Sequence, residues 1–128
     1  MPVEILLPPG SPPPLAPYSP GTKAGGFIYV SGTLAIGSDG KTVGVGDAAE
    51  QTRFILETIK TVIETGGGTM KSVMFNQIFL KDLADYATMN SVYKTYFPEA
   101  PPARYCIQAP LVKPEFLVEI ATTAYVGD

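Results

Sequence analysis

Histidine and tryptophan are absent from the 128 residues, and the chain has one cysteine and only two arginines. Without histidine there is no Ser-His-Asp triad, no Cys-His dyad and no imidazole general base. Zinc and iron sites are disfavoured too, because their common ligand sets need histidine or several cysteines. The lone Cys106 cannot form an intrachain disulfide, which is typical of a protein from a reducing compartment.

Basic side chains are also scarce: 9 Lys and Arg stand against 12 Asp and Glu, for a net charge of −3. Nucleic-acid surfaces need clustered Lys and Arg, so this composition argues against a nucleic-acid partner. Residues 1–9 lack a basic start, and their apolar run is too short for a signal peptide or a membrane span. We therefore expect a cytoplasmic protein with no membrane partner.

The 13 prolines stand near the two ends of the chain, eight in residues 1–20 and five in residues 98–114. Proline interrupts helices, so any long helix belongs in the proline-free middle. Residues 8–20 are predicted to form an extended, polyproline-like segment that lies over a surface.

Apolar patterning between these ends predicts an alternation of strands and helices. Strands are predicted at 3–7, 27–31, 70–80, 103–109 and 116–126, and short strands on either side of a turn at Ser38-Asp39-Gly40. The strand at 70–80 is predicted with Val73 and Phe75 on one face and Met74 on the other. Asp47, with Glu50 three residues later, predicts the start of a helix that the glycines at 66–68 end. Asp82 is predicted to cap a second helix that runs to about Phe97, with Tyr86, Met89, Tyr93 and Tyr96 on one face.

This order of elements predicts a single domain over residues 1–128, with an α+β fold built on one mixed sheet. Two helices cover only one face of such a sheet, yet the strands at 70–80 and 116–126 are apolar on both faces. The uncovered face would be a large exposed apolar patch. We therefore expect an oligomer that buries this face between subunits.

Two charged residues lie in strands where charge is unusual. Alternation puts Arg104 on the same strand face as Cys106, and Glu119 lies in the middle of an apolar strand. If the two strands are neighbours, Arg104 and Glu119 could form an ion pair that joins them. The alternative is a site, in which Arg104 binds a substrate carboxylate. Glu119, its pKa raised by desolvation, would then move a proton or position a water molecule.

Five further residues each have a structural and a functional interpretation. Cys106 is either a small core residue or a thiol that lines a pocket. Tyr18 is either a packing anchor of the proline-rich segment or a lid with a hydroxyl to donate. Ser31 and Gly32 form either a simple turn or a hydroxyl and N–H pair that contacts a ligand. Asn90 is either a buried or surface amide of the second helix or part of the same site.

Six short motifs are spread over nearly the whole chain. They are APY at 16–18, YVSG at 29–32, FLKD at 79–82, MNSVY at 89–93, PAR at 102–104 and VEI at 118–120. Together they resemble the RidA family, also called the YjgF or L-PSP family, and PAR with VEI is the most specific pair. The longer stretches at 51–70 and 75–86, with PARYCIQ at 102–108, resemble the subgroup of the Rut pyrimidine-degradation pathway.

The resemblance implies a chorismate-mutase-like α+β fold and a homotrimer whose sites lie in clefts between subunits. It implies cofactor-independent, metal-free hydrolysis of reactive enamines or imines, in this subgroup of 3-aminoacrylate to malonic semialdehyde and ammonia. Arg104 would bind the substrate carboxylate, and Glu119 would activate water and move protons. Cys106, Tyr18, Ser31, Gly32 and Asn90 would complete the substrate-binding cleft.

One departure from the family pattern concerns substrate choice. Thr33 follows Ser31-Gly32 where many members carry an amide or a small residue.

The alternatives to a 3-aminoacrylate deaminase are a deaminase of 2-aminoacrylate or other 2-imino acids and a non-catalytic module that binds small carboxylates. The ribonuclease activity attributed to some members fits poorly with two arginines and an acidic chain.

Overall fold

The computed structural model describes residues 2–127, and one six-stranded sheet dominates it. Its strands are β1 (Glu4–Leu6), β2 (Gly21–Ala24), β3 (Phe27–Thr33), β4 (Val73–Leu80), β5 (Ala103–Gln108) and β6 (Val118–Tyr125). The spatial order is β1-β2-β3-β6-β4-β5. Strands β4 and β5 are parallel, and the other neighbours are antiparallel. The sheet is therefore mixed, as predicted.

Two helices connect the strands, α1 (Ala48–Thr65) and α2 (Tyr86–Tyr96). The Asp47 side chain accepts a hydrogen bond from the Glu50 backbone N–H at 3.1 Å, which confirms the predicted start of α1. Asp82 caps a short 3₁₀ turn, Leu83–Asp85, and α2 begins only after it, at Tyr86. The second helix is thus about one turn shorter than predicted.

Both helices pack on one face of the sheet, which confirms the predicted layer arrangement. The buried core on this face joins Ile55, Ile59 and Ile63 of α1 to Ile78 of β4 and Ile120 of β6. Complementary burial of the helix stripe and the strand residues holds the two layers together.

The opposite face of the sheet, called here the open face, is uncovered in the single chain. Its exposed aromatic and aliphatic residues are Phe27, Tyr29, Tyr105, Ile107 and Tyr125, each 40–57% exposed. Phe75 and Phe79 stack edge-on against Tyr105 at 5.7 and 6.2 Å between ring centroids. The open face thus carries the exposed apolar side chains that the strand patterns predict.

Four details of the strands differ from the sequence prediction. Strand β2 was not predicted, and β4 begins at Val73 because residues 70–72 form a 3₁₀ turn. A register shift between Val73 and Phe75 puts Val73 on the helix side and leaves Met74 50% exposed. The short strands expected around Ser38-Asp39-Gly40 reduce to one bridge, between Ile36 and Thr42.

The described residues contain no helix that is long and apolar enough to span a membrane.

Candidate active site

Arg104 lies on β5, opposite Asn76 of β4, and its side chain is on the helix face of the sheet. Its guanidinium carbon is 4.8 Å from the centroid of the Tyr93 ring and 5.7 Å from that of the Tyr86 ring. One guanidinium nitrogen, Nη2, donates to the Tyr86 hydroxyl at 3.1 Å. Two aromatic rings of α2 thus hold the cation through their π faces and one hydroxyl.

A chain of buried, hydrogen-bonded polar groups holds the Tyr93 side chain in place through its hydroxyl. Asn76 Nδ2 donates to the Tyr93 hydroxyl at 2.8 Å, and the Thr122 hydroxyl donates to Asn76 Oδ1 at 2.6 Å. All three side chains are buried. Burial raises the pKa of the Tyr93 phenol, against the opposing effects of Asn76 and Arg104. The Arg104 guanidinium therefore rests on a fixed aromatic plane.

Cys106 and Asn90 lie beside this arginine. Cys106 follows Arg104 by two residues on the same face, opposite Ile78, and packs against the core. Burial raises the pKa of its thiol, although the nearby Arg104 charge acts in the opposite direction. Asn90 is half-buried on α2, four residues after Tyr86 and three before Tyr93, which places it on the same helix face. We call Arg104, Tyr86, Tyr93, Asn90 and Cys106 the arginine cluster.

Glu119 lies on β6 opposite Phe79, and its side chain is on the open face. It is half-buried, and burial raises the pKa of its carboxyl above the ordinary range. Gly32 of β3 lies directly against it: a Cβ atom built on Gly32 would be 2.3 Å from Glu119 Oε2. Only glycine leaves room for the carboxylate in this position.

The Gly32 position arises from an irregularity of β3. Val30 pairs with Thr122 and Thr33 pairs with Ile120, so Ser31 and Gly32 together oppose one residue of β6. This is the arrangement of a β-bulge, which redirects side chains at a sheet margin. The Ser31 hydroxyl donates to the Ser19 carbonyl at 2.5 Å. We call Glu119, Gly32 and Ser31 the glutamate cluster.

The proline-rich segment runs next to this cluster, as predicted for a segment that lies over a surface. The Ser31 backbone N–H donates to the Pro20 carbonyl at 3.0 Å, which fixes the end of the segment. Tyr18 is 43% exposed and lines, with Ser31 and Phe54 of α1, a cavity of about 290 Å³. Glu119 and Arg104 are not among the residues that line it.

The predicted meeting of Arg104 and Glu119 across neighbouring strands is wrong. Strand β4 separates β5 from β6, and the two side chains are on opposite faces of the sheet. Arg104 is level with Asn76 and Glu119 with Phe79, so their Cα atoms are roughly 14 Å apart from strand spacing and rise. A structural ion pair within one chain is therefore excluded, and the chain carries two separate clusters.

The sequence motifs predicted Arg104 and Glu119 as site residues, but not the aromatic residues around the arginine. Tyr86 and Tyr93 were predicted only as part of an apolar helix stripe. Their spacing of seven residues on α2 and the placement of β5 beneath that helix are the features that bring both rings to Arg104. Among residues 2–127, the Cys, Asp and Glu side chains form no group of three or more that could hold a metal ion.

These features define the class of protein: a small α+β protein whose mixed sheet carries helices on one face. A family profile described as Endoribonuclease L-PSP matches residues 9–126. The chain belongs to this family, the RidA or YjgF family that its motifs indicated.

Three relatives illustrate the similarity. The 3-aminoacrylate deaminase RutC of Acinetobacter baylyi is 58% identical over 126 residues, which cover 98% of this chain and 100% of the relative. The structure of YyfA from Yersinia pestis, a Rid-family protein of unknown function, has a TM-score of 0.89 and 28% identity, covering 97% of this chain and 99% of that one. The structure of E. coli TdcF with bound serine has a TM-score of 0.87 and 27% identity, covering 95% and 98%.

Proposed function

We propose that this protein is a cofactor-independent deaminase that hydrolyses 3-aminoacrylate to malonic semialdehyde and ammonia. The observation that carries the proposal is the 58% identity, over nearly the full chain, with the 3-aminoacrylate deaminase RutC. The arginine and glutamate clusters supply the groups that this chemistry needs, a carboxylate anchor and a proton-transfer residue.

The reaction divides into steps that one acid–base group can assist. Protonation of C2 of the enamine moves the nitrogen lone pair into the C–N bond and gives the iminium ion. Water then adds to the iminium carbon and gives up a proton, which leaves a carbinolamine. Once the carbinolamine nitrogen takes up a proton, the C–N bond breaks to release ammonia, and the hydroxyl loses its proton to give the aldehyde. Glu119, with a pKa raised by burial, is suited to deliver the first proton and to accept one from the attacking water. Arg104 holds the carboxylate end of the molecule.

We propose that the site is completed in a homotrimer, by the arginine cluster of one subunit and the glutamate cluster of the next. Within one chain these clusters are roughly 14 Å apart on opposite sheet faces, too far for a three-carbon substrate. The open face is apolar and uncovered, and it carries Glu119 among its residues. Packing of open faces between subunits would bury that surface and bring Glu119 to an interface. Cys106, Asn90, Tyr18, Ser31 and Gly32 would line the resulting cleft.

Ammonia release from freshly generated 3-aminoacrylate tests the activity. We expect the wild-type protein to exceed the rate of unaided decay, and Glu119→Gln to lose this excess while it still binds small carboxylates. Glu64→Gln, an exposed carboxylate on α1, is the matched control and should retain full activity. Equal ammonia release with and without wild-type protein would refute the deaminase proposal. Faster turnover of 2-aminoacrylate than of 3-aminoacrylate would identify the 2-imino acids as the preferred substrates.

Subunit mixing tests whether two chains build each site. Arg104→Ala and Glu119→Gln are each expected to be inactive alone. In randomly mixed oligomers, a site that takes one cluster from each of two subunits should recover about one quarter of wild-type activity. A site built within one chain would recover none. Light scattering on the same samples measures the number of subunits.

The composition of the chain bears on its location and on its ligand. We propose a cytoplasmic location, because a single cysteine suits a reducing compartment. We propose a small-molecule carboxylate as the ligand and no nucleic acid, despite the ribonuclease in the family's description, because a net charge of −3 and two arginines make a poor phosphate surface.

A further inference from the structure

Tyr86 combines an exposed side chain with a fixed hydroxyl. The residue is 44% exposed, yet its hydroxyl oxygen is 3.1 Å from Arg104 Nη2. It stands at the start of α2, where the Asp85–Tyr86 junction ends one 3₁₀ turn and begins the helix. The phenol ring is also within 5.7 Å of the guanidinium carbon. The hydroxyl thus lies at the solvent side of the arginine cluster, beside the cation.

The chemistry of arginine determines whether the Tyr86 hydroxyl donates or accepts in its contact with Arg104. Arginine has donors only, so in the contact with Nη2 the phenol oxygen must accept. The phenol proton is then directed to an acceptor other than Arg104. An anion that binds to the guanidinium would lie next to this proton and could accept it.

Tyr93 and its polar support keep this geometry fixed. The Tyr93 ring stacks on the guanidinium at 4.8 Å, and its hydroxyl is held by the buried Asn76. The guanidinium carbon therefore lies over the Tyr93 ring, and one guanidinium N–H is bonded to Tyr86. Its other N–H groups are the ones suited to bind an anion.

We propose that Tyr86 is a substrate-binding residue, whose hydroxyl donates to the same carboxylate that Arg104 binds. This inference rests on the proposed function, since it gives the arginine cluster a carboxylate ligand. One carboxylate oxygen would accept from both an Arg104 N–H and the Tyr86 O–H. The pair favours an anionic carboxylate over a neutral amide, because hydrogen bonds to charged groups are the stronger ones.

Equilibrium binding of propionate, an unreactive short carboxylate, tests the proposal by calorimetry on the full chain. We expect Tyr86→Phe to weaken propionate binding by about tenfold or more, as for the loss of a hydrogen bond to a charged group. Affinity for propionamide should change much less. Tyr96→Phe, on the same helix, is the matched control, because the Tyr96 hydroxyl donates to Glu57 and not toward Arg104.

A second comparison separates direct binding from mere orientation of Arg104. In an Arg104→Lys background, a Tyr86 hydroxyl that touches the carboxylate should still contribute, so adding Tyr86→Phe should weaken binding again. If Tyr86 only orients the guanidinium, its removal should have no effect in that background, and the proposal is overturned.

The outcomes also separate this inference from the proposed function. Unchanged propionate affinity in Tyr86→Phe, with wild-type deamination intact, overturns the role of Tyr86 alone. A wild-type protein that neither binds propionate nor releases ammonia overturns both.

Discussion

Gly32 offers a direct test of whether the position of Glu119 matters for catalysis. A Cβ atom at residue 32 would be 2.3 Å from Glu119 Oε2 and 3.2 Å from its Cδ. Gly32 does not have a positive φ, so alanine meets no backbone strain there. The atom in the way is the end of a flexible side chain. Gly32→Ala should therefore displace the carboxylate and leave the fold intact.

The size of the effect follows from the required displacement. Restoring ordinary van der Waals contact, at 3.4 Å, needs a shift of about 1 Å in the carboxylate. A misplacement of about 1 Å in a catalytic group lowers rates by roughly 100-fold. We expect kcat for 3-aminoacrylate to fall by about that factor, while the melting temperature stays close to that of the wild type.

A double-mutant cycle with Glu119→Gln shows whether the loss acts through Glu119. Stopped-flow measurement of ammonia release from the four proteins supplies the rates, and thermal unfolding of each supplies the stability control. If Gly32→Ala acts by moving the carboxylate, it should cause little further loss once Glu119 is already glutamine. Near-wild-type kcat in Gly32→Ala, or a full additional loss in the double variant, would refute the reasoning.

Two further predictions concern the helix α2 side of the molecule. Arg104→Lys keeps the positive charge but loses the guanidinium contact with the Tyr93 ring and the fork that binds carboxylates. The KM for 3-aminoacrylate should therefore rise about tenfold or more in steady-state kinetics. An unchanged KM would contradict the role of Arg104. Burial, with the neighbouring Glu57, raises the pKa of Tyr96 to about 12, whereas the pKa of a tyrosine in the unfolded chain is near 10. The Tyr96 phenol therefore contributes its full stabilisation below pH 10, and this contribution declines as the pH rises toward about 12. Urea unfolding should show wild type more stable than Tyr96→Phe at pH 8 and the difference narrowing above pH 10, whereas a constant difference would contradict this.

Local chemistry explains the parts of the fold that the sequence predicted well. Asp47 and Glu50 mark the start of α1 because a cap depends only on residues three apart. The alternating faces of β6 place Glu119 on the open face because side-chain direction in a strand has a period of two. Strand β2 was not predicted because its four residues, GTKA, lack the alternating apolar residues that indicate a strand.

Strand order is the feature that no local pattern could supply. Strand β6, the last in the chain, inserts between β3 and β4, so β4 lies between Glu119 on β6 and Arg104 on β5. Nothing in the residues of β5 or β6 distinguishes direct neighbours from strands one place apart. The motifs therefore identified both candidate catalytic residues, while their relation in space had to come from the fold.

The separation of Arg104 from Glu119 within one chain is connected with the second unusual feature of the molecule, its apolar open face. Glu119 is half-buried on a face whose aromatic neighbours remain exposed in the single chain. Desolvation already raises its carboxyl pKa, and covering the open face would remove further water from around it. An arginine from a second subunit would bring substrate to that carboxyl and stabilise its charged form. In the proposed trimer, burial and the approaching cation act on the pKa in opposite directions, which suits a group that must both donate and accept a proton within one reaction cycle.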